Sequence, residues 1–407
     1  MPKLLQINVT ANWGSTGKIA EQLGECVQKN GWESYIAYGR YANPSTSHLI
    51  KIGNRLDTYL HFAEQSLFDN EGLCSRKPTR ELILQIKNIQ PDIVHLHNIH
   101  DHYLNYHILF NYFNHTNIKI VWTFHDFWAI TGHCMHFVTK DCNRYETKCY
   151  DCPMNKVYPK SLLERSQRNY LLKKELFSTC KNLTIVPVSE WVGAMTRKSF
   201  LANSPIKVIP NGIDTDLFKP TTLDLYHNDE VKKRIENKFV ILSVASQWEY
   251  DKGLDDYIRI SKILKDDEVI VLVGVSNNIK KKLPNNIIGI NRTNNVQELA
   301  ALYTRADVVA ILSSAETFGL TAVEGFACGT PAVVYNNTAP PSLITPATGI
   351  VVPNKDYQAV YSAIQELKLH PLNSYDIIKY ATYNFDKEKC CYYNMQDLHI
   401  SKDINSD

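Results

Sequence analysis

Apolar residues form two kinds of segment along this chain, and the two kinds follow each other in turn. Short continuous apolar runs predict strands, whereas apolar residues three or four positions apart predict helices. Because strands that alternate with helices are typical of βαβ units, we expect an α/β domain with a doubly wound, mostly parallel sheet. In the first half, strands are predicted at 4–9, 93–96, 118–124 and 183–188, and helices at 18–28 and 161–177.

The second half repeats the pattern with apolar runs that lack polar alternation, which predicts strands buried on both faces of a parallel sheet. Proline and glycine breakers cluster at 204–222 and predict a domain boundary there. We expect a first domain at 1–204, a second at 205–375, and a tail at 376–407 that crosses back to the first. The strands are predicted at 239–244, 269–273, 308–312, 332–335 and 350–352, and the helices at 254–264, 296–304, 318–328 and 357–367.

The composition agrees with two soluble globular domains, since the 407 residues are 44% hydrophobic and 21% charged. The formal net charge of +2 argues against a general nucleic-acid binder. The chain contains no apolar run of about 18 residues, which a membrane-spanning helix needs, and its first residues do not resemble a signal peptide. We therefore expect a cytoplasmic protein that binds no nucleic acid.

Two acidic residues surround the predicted helix start after the strand at 308–312: Glu316 in the loop, and Glu324 about two turns into the helix. The backbone N–H groups of a helix start lack internal partners and favour an anion; here they belong to Phe318, Gly319 and Leu320. Carboxylates suit sugar hydroxyls and N–H groups suit a diphosphate, so a nucleotide sugar fits the arrangement. The residues alone leave a second interpretation open, in which the acid only complements the helix dipole.

Glu-x7-Glu followed by Gly-Thr-Pro, here at 316–331, resembles the donor-site signature of retaining glycosyltransferases of family 4. Those enzymes have the GT-B fold, an α/β architecture of two Rossmann-like, doubly wound domains that face a central cleft. Further matches are the turn from Gly14 to Gly17, Asn211 at the predicted domain junction, and Lys252 after the strand at 239–244. The segments 95–100 and 122–134 resemble a subgroup, the colanic-acid-type enzymes of capsule and exopolysaccharide synthesis.

The resemblance implies a metal-independent hexosyltransferase. Such an enzyme moves a sugar from a nucleotide sugar, which we expect to be UDP-linked, to a glycan or lipid-linked acceptor with retention at the anomeric carbon. It implies that Glu316, Lys252 and His125 are catalytic, with Lys252 at the leaving diphosphate and the other two at the donor sugar, while Glu324 contacts the ribose. The residues assigned to donor or nucleotide binding are Gly14, Gly17, Asn211, Arg292, Phe318, Gly319, Leu320 and Glu324.

One position departs from the family pattern. Ser246 stands where these enzymes usually have an arginine, and Asp251 places a negative charge beside Lys252. Because a metal-free site must stabilise the departing phosphate with cations, we expect Arg292 or Lys18 to compensate. The glycines at 14 and 17 predict a flexible turn ahead of the first helix, whose backbone can approach phosphate or acceptor.

Histidines concentrate in one part of the first domain, where nine of the 14 fall between 95 and 136. We expect His97, His100 and Asp126 to lie in the acceptor region. His95 and His97 come at a strand end, and we expect one to face inward and the other outward. Their spacing alone does not predict a metal site.

Four cysteines crowd into a short segment that closes in Cys-x2-Cys, the spacing of tetrahedral zinc sites. This Cys-rich insert, 132–153, has little apolar content, which favours a structural zinc ion over a catalytic one. Two disulfides, free thiols or a redox role remain open alternatives. The four candidate ligands are Cys134, Cys142, Cys149 and Cys152.

The predicted helix at 161–177 carries basic residues beside leucines, which is typical of a solvated surface. The resemblance adds a second interpretation, peripheral contact with the inner face of the plasma membrane. Two other functions stay open for the whole chain. One is a nucleotide-sugar 2-epimerase of the same fold, and the other is a zinc-stabilised binding protein on a catalytically impaired scaffold.

Overall fold

The structure of the protein is a computed structural model that describes residues 1–248 and 252–391. Within these residues the chain forms two compact units. Unit 1 comprises Met1–Pro210 together with Cys391, and unit 2 comprises Asn211–Cys390. Of the tail expected at 376–407, residues 376–390 therefore belong to unit 2, and residues 392–407 lie outside the described residues, as does Asp251.

Unit 1 is built on a six-stranded sheet in which every pair of neighbouring strands is parallel. Its strands are β1 (Lys3–Asn8), β2 (Glu33–Tyr38), β3 (His48–Lys51), β4 (Ile93–Leu96), β5 (Lys119–Phe124) and β6 (Leu183–Pro187). Their order across the sheet is β3-β2-β1-β4-β5-β6. The helices of this unit are α1 (Gly14–Lys29), α2 (Arg55–Phe68), α3 (Arg76–Ile89), α4 (Tyr106–Phe113), α5 (Ser166–Ser178) and α6 (Glu190–Arg197).

Unit 2 repeats the architecture around a second six-stranded sheet, which is also parallel throughout. It begins with α7 (Asp229–Ile235), β7 (Phe239–Val244), α8 (Leu254–Ser261), β8 (Glu268–Val273), α9 (Asn277–Lys280) and β9 (Ile287–Ile290). It continues with α10 (Val296–Arg305), β10 (Val308–Ile311), α11 (Leu320–Ala327), β11 (Ala332–Tyr335), β12 (Gly349–Val352), α12 (Tyr357–Leu369) and α13 (Ser374–Phe385). The strand order is β12-β11-β10-β7-β8-β9.

The two sheets confirm the predicted fold class. The central strands are apolar on both faces because helices cover both sides of each sheet, and all six residues of β8 are buried. Three strands were not predicted: β2, whose apolar residues are interrupted by polar ones, and the four-residue strands β3 and β9 at the two sheet edges.

Each sheet brings the carboxyl ends of its strands to one edge, and this edge positions the candidate functional loops. In unit 1 the loops after β4 and β5 leave neighbouring strands, and in unit 2 the loops after β7 and β10 do the same. No helix in the described part of the chain is both long enough and apolar enough to cross a membrane.

A disulfide that the sequence did not predict joins Cys26 on α1 to Cys391. Both residues pack into the apolar core of unit 1, with Val27 and Ile209. The bond ties the last described residue of the chain to the first helix.

Candidate active site

In unit 2 the loops after β7 and β10 touch each other. Gly253 begins α8 with a φ of 74°, and a Cβ at this position would stand 2.4 Å from the carbonyl oxygen of Leu312. Any other residue would push the two loops apart, so glycine is required both for its backbone conformation and for the close approach. The contact places the residue before Gly253 beside the loop that follows β10.

That residue is Lys252, and its Nζ lies 2.6 Å from Oε1 of Glu316. Each side chain is 25% exposed, so the ion pair borders solvent and is within reach of a ligand. The structure therefore brings together two of the three residues assigned to catalysis. An anionic diphosphate would meet the ammonium here, and a sugar hydroxyl would meet the carboxylate.

The loop that carries Glu316 is held by the next strand connection along the sheet. The N–H of Glu316 donates to Oγ1 of Thr338 at 3.1 Å, and its carbonyl accepts the N–H of Ala339 at 3.2 Å. The side-chain amide of Asn337 donates to the carbonyl of Ser314 at 2.6 Å. These bonds fix the backbone, so Glu316 is presented from a defined loop.

The helix start that was predicted to bind an anion lies directly after this loop. α11 begins at Leu320, and Gly319 precedes it with a φ of 104°, a conformation that other residues rarely adopt. Phe318 is buried and packs edge-on against Phe385, with the ring centroids 5.8 Å apart. The first turn of α11 contains no acidic residue that would compete for its N–H groups with a bound phosphate.

Glu324 lies on α11 and is bound by a tyrosine. The hydroxyl of Tyr303 on α10 donates to Oε2 of Glu324 at 2.8 Å. Burial, together with the Glu324 charge, raises the pKa of Tyr303 well above its ordinary value, so the phenol remains a neutral donor. This bond orients the carboxylate, which the sequence assigned to the ribose.

Two cations were expected to compensate for the serine at position 246. Ser246 and Arg292 are both exposed, and Arg292 follows β9, which is separated from β7 by β8. Lys18 is exposed on α1 of unit 1, and Asn211 is buried at the start of unit 2. The roles assigned to Arg292, Lys18 and Asn211 stay predictions.

In unit 1 the loops after β4 and β5 carry stacked imidazoles. The rings of His95 and His97 stack with centroids 4.5 Å apart, and those of His97 and His125 with centroids 5.4 Å apart. The expectation that His95 and His97 face opposite ways was wrong. Residues two apart on a strand share a face, and both side chains are buried on that face.

Hydrogen bonds connect this stack to the sheet. Nδ1 of His97 lies 3.1 Å from Nε2 of His125, and Nε2 of His97 lies 3.0 Å from Oε1 of Gln6. Nε2 of His95 lies 2.7 Å from Oγ1 of Thr123. Burial lowers the pKa of His125 to about 4 and that of His95 to about 3, so these imidazoles are neutral at pH 7.

Two further histidines pair with carboxylates. Nε2 of His100 lies 2.8 Å from Oδ2 of Asp126, and Nδ1 of His102 lies 2.7 Å from Oε2 of Glu71. Burial alone would lower the pKa of His100, but the Asp126 charge raises it, and His100 in turn holds the pKa of the buried Asp126 at about 2. The predicted acceptor residues thus form one network with His125, the neighbour of Asp126.

His61 joins His102 and Glu71 in a buried group whose possible ligand atoms all lie within 4.8 Å of one another. Both ring nitrogens of His61 already have partners, since Nδ1 lies 2.8 Å from Oγ of Ser75 and Nε2 accepts the N–H of Gly72 at 3.1 Å. We therefore assign this group a structural role that positions the loop at 97–103.

The glycine turn of unit 1 corrects a prediction. The helix expected at 18–28 already begins at Gly14, so the residues from Gly14 to Gly17 form the first turn of α1 and not a flexible loop. A Cβ on Gly17 would stand 2.6 Å from Oγ1 of Thr10, so this glycine allows α1 to pack closely on the loop after β1. The donor-binding role of both glycines stays a prediction.

The helix predicted at 161–177 is also corrected. α5 begins at Ser166, and Lys173 on it is buried, with Nζ donating to the carbonyls of Trp128 at 2.6 Å and Thr131 at 3.0 Å. Burial lowers the pKa of Lys173 to about 7. This lysine therefore fastens the start of the Cys-rich insert and does not belong to a solvated basic face.

The four cysteines of the insert lie around one cavity of unit 1. The shared wall comprises Cys134, Cys142, Cys149 and Cys152, with His133 and aromatic side chains. Sequence analysis did not single out His133, because nothing in its spacing distinguishes it from the other histidines of this region.

Two family models match the chain and together cover most of it. The model described as "Glycosyltransferase Family 4" matches residues 16–217, and the model described as "Glycosyl transferases group 1" matches residues 227–385. One relative is the protein of Escherichia coli strain K12 that is named as the colanic acid biosynthesis glycosyl transferase WcaC. It is 23% identical to this chain over 87% of this chain and 88% of its own length. The O-antigen chain mannosyltransferase RfbU of Salmonella typhimurium is 25% identical over 57% of this chain and 64% of its own length.

Solved structures share the fold over nearly the whole chain. Sucrose-phosphate synthase from Thermosynechococcus elongatus has a TM-score of 0.71 at 15% identity, with 98% of each chain covered. Anabaena Alr3699/HepE in complex with UDP-glucose has a TM-score of 0.65 at 14% identity, with 98% of this chain and all of the other covered. These relatives do not support the 2-epimerase alternative. With its two parallel sheets and these matches, the chain belongs to the GT-B glycosyltransferases of the group 1 and family 4 type.

Proposed function

We propose that this glycosyltransferase moves a hexosyl group from a UDP-sugar to a glycan or lipid-linked acceptor in surface polysaccharide synthesis, with retention and without a catalytic metal. The contact between Lys252 and Glu316 at the touching loops of unit 2 carries this proposal. The UDP-glucose complex of the structural neighbour HepE supports the donor class, and the names of WcaC and RfbU support the polysaccharide pathway.

In this proposal unit 2 binds the donor. The ammonium of Lys252 and the N–H groups at the start of α11 stabilise the charge that develops on the leaving diphosphate. Glu316 accepts hydrogen bonds from hydroxyls of the donor sugar, and Glu324, oriented by Tyr303, accepts them from the ribose. The departing phosphate takes the proton of the acceptor hydroxyl, so no separate general base is required.

In this proposal unit 1 binds the acceptor. Because its pKa is about 4, His125 is a neutral hydrogen-bonding group at pH 7 and adds no charge beside an oxocarbenium-like transition state. His97 fixes the orientation of His125 through the 3.1 Å contact between their rings. His100 and Asp126 form a charged pair that hydrogen-bonds sugar hydroxyls.

A ligand screen tests the donor assignment. UDP-glucose, GDP-mannose and ADP-glucose are added to the full chain, and a ligand at 100 times its dissociation constant should stabilise the protein by about 2.7 kcal/mol. We expect the UDP-sugar to raise the melting temperature most. Stabilisation only by GDP-mannose or ADP-glucose would contradict the UDP assignment.

Product stereochemistry tests the reaction class. Slow hydrolysis of the UDP-sugar, followed by NMR before the anomers equilibrate, should first release the anomer with the configuration of the donor, without added Mg²⁺ or Mn²⁺. Release of the opposite anomer would contradict retention, and absence of any hydrolysis or transfer would favour a binding protein on an inactive scaffold.

We also propose that unit 1 meets an anionic membrane surface, although not through α5. The exposed side of α2 carries an apolar stripe: Leu56, Tyr59, Leu60 and Leu67. The stripe continues into Leu162, which is 76% exposed and whose N–H donates to the carbonyl of Ser66 at 2.7 Å. Exposed basic residues lie on the same segments, namely Arg55 on α2, and Lys156 and Lys160 shortly before Leu162. An apolar stripe beside basic side chains suits an anionic interface, where a lipid-linked acceptor would be held.

A further inference from the structure

The Cys-rich insert has almost no regular structure to hold it together. Between β5 and α5 the described chain forms only three short 3-10 turns, Trp128–Ile130, Val138–Lys140 and Arg144–Glu146. Aromatic packing supports part of it, since Phe137 and Tyr145 are buried and their rings stack with centroids 4.3 Å apart, but regular backbone hydrogen bonding is almost absent from its described residues. Small segments of this kind are commonly fixed by disulfides or by a metal.

No disulfide joins the four cysteines of the insert, all of which lie within the described residues. All four nevertheless line one cavity, and the thiols of Cys134 and Cys152 are hydrogen-bonded to each other. Four cysteines that are spread over 19 residues are thus gathered around one small space.

Backbone N–H groups surround two of these sulfurs. The N–H of Gly132 donates to Sγ of Cys149 at 3.3 Å, and the N–H of Met154 donates to Cys152. Both recipients belong to the Cys-x2-Cys pair, whose spacing lets two sulfurs bind the same ion.

A buried polar atom in the cavity wall supplies an independent observation. Nδ1 of His133 lies 2.6 Å from Oδ1 of Asp69, and the His133 side chain is 0% exposed. Its other nitrogen, Nε2, is buried without a hydrogen-bond partner among the described residues. A buried nitrogen of this kind is costly unless it has a partner, and a thiolate sulfur is such a partner.

Charge balance points the same way. A zinc ion with four thiolates carries two negative charges, which cannot be buried without compensation. Two basic side chains lie at the insert: His133 in the cavity wall, and Lys173, whose Nζ donates to the carbonyls of Trp128 and Thr131.

We propose that Cys134, Cys142, Cys149 and Cys152 bind one structural zinc ion, with His133 and Asp69 as its outer shell. Binding of Zn²⁺ to four thiols forms four Zn–S bonds and releases four protons, with no change of oxidation state. Because all four coordination positions are occupied by protein, the ion fixes the insert and does not take part in transfer.

Metal analysis of the full chain, purified under reducing conditions, tests this proposal independently of transferase activity. We expect about one zinc per chain in the wild type. Cys142→Ser or Cys149→Ser should release it, whereas Cys180→Ser, which changes a buried cysteine elsewhere in unit 1, should not. Absence of zinc with all four thiols titratable in the folded protein would overturn the proposal.

Cobalt substitution tests the ligand set and does not require a variant that folds without metal. The wild-type cobalt protein should show the sulfur-to-metal absorption of a tetrahedral four-thiolate site, and His133→Ala should retain both the metal and this spectrum. If His133→Ala lost the metal while Cys142→Ser kept it, the site would have three sulfurs and one nitrogen, and the four-thiolate assignment would be wrong.

Discussion

The two sheets of this protein have the same strand number and the same parallel arrangement, but their functional edges differ in charge. In unit 1 the edge after β4 and β5 presents buried imidazoles whose pKa values burial lowers, as for His125, to about 4. In unit 2 the edge after β7 and β10 presents Lys252 and Glu316, both 25% exposed and paired at 2.6 Å.

The difference teaches that topology sets where a functional side chain lies, whereas burial sets whether it is charged. A buried imidazole without a carboxylate partner stays neutral, so unit 1 offers hydrogen bonds without charge at His95, His97 and His125. Lys252 and Glu316 form an ion pair that borders solvent, so unit 2 offers one basic and one acidic group to a ligand. The neutral imidazoles of His95, His97 and His125 suit sugar hydroxyls, and the ion pair of Lys252 and Glu316 suits a diphosphate beside a sugar.

The largest effect is expected when the carboxylate of Glu316 is removed. Glu316→Ala should fold normally but lose about 10²–10³ in turnover, which is the scale for one contact that stabilises a transition state. The measurement is transfer or hydrolysis of a UDP-sugar at saturating donor. Glu366→Ala, which changes an exposed glutamate on α12, is the matched control and should keep full activity. If Glu316→Ala kept activity close to that of the wild type, the assignment of Glu316 to the donor site would be wrong.

The next largest effect is expected when the ammonium group of Lys252 is removed. Lys252→Ala should weaken nucleotide binding about 10- to 100-fold, because a charge-assisted hydrogen bond contributes about 1.5–3 kcal/mol. The measurement is UDP affinity by calorimetry at low and high salt, and salt should weaken the wild type more than the variant.

Lys262→Ala, at the other end of α8, changes an exposed lysine and should leave UDP affinity unchanged. If Lys252→Ala binds UDP as tightly as the wild type, another cation contacts the diphosphate, and Arg292 is the first to examine.

A smaller effect concerns the apolar stripe, which unit 1 carries on α2. Leu60→Glu should reduce binding to vesicles that contain anionic lipid by about tenfold, since burial of one leucine contributes about 1.5–3 kcal/mol. The fraction of protein that sediments with anionic and with neutral vesicles measures this binding. Leu369→Glu, on an exposed leucine of unit 2, should bind as the wild type does. Equal binding by both variants would place the membrane contact elsewhere or exclude it.

The smallest effect concerns acid stability. The folded-state pKa of His125, about 4, lies below its ordinary value of 6.5, so the unfolded chain binds more protons between these two pH values. The contribution of His125 is fully present above pH 6.5 and is lost as the pH falls toward 4, by up to about 1.4 kcal/mol per pH unit.

Histidines that pair with carboxylates, such as His100, have a raised pKa and therefore change stability with pH in the opposite direction. The contribution of His125 is isolated by comparing the pH dependence of the wild type with that of His125→Asn. Denaturant unfolding between pH 7 and pH 5 should show that His125→Asn loses less stability on acidification than the wild type. His370→Asn, at an exposed position of unit 2, should follow the wild type. Parallel curves for all three proteins would mean that His125 is not held neutral by burial.

Much of the fold could be predicted because strands buried in a parallel sheet have continuous apolar sequences. The edge strand β3 could not be, because two of its four residues, His48 and Lys51, are polar, whereas β9 is a buried Ile-Ile-Gly-Ile run that was predictable and was missed. The sequence located Lys252 and Glu316 separately, but their contact depends on β7 and β10 being neighbours in the sheet, which no local pattern reveals. The stacking of His95 on His97 was predictable from the two-residue period of a strand and was missed.

The disulfide between Cys26 and Cys391 makes a covalent ring of the chain between them, with a sequence separation of 365 residues. The whole of unit 2 is contained in this ring. A single proteolytic cut anywhere inside the ring would therefore open the chain without dividing the molecule. The nicked protein would run as one band near 46.6 kDa without reductant and as two smaller bands after reduction. Fragments that lie inside the ring, which include all of unit 2, can be isolated only after two cuts or after one cut and reduction.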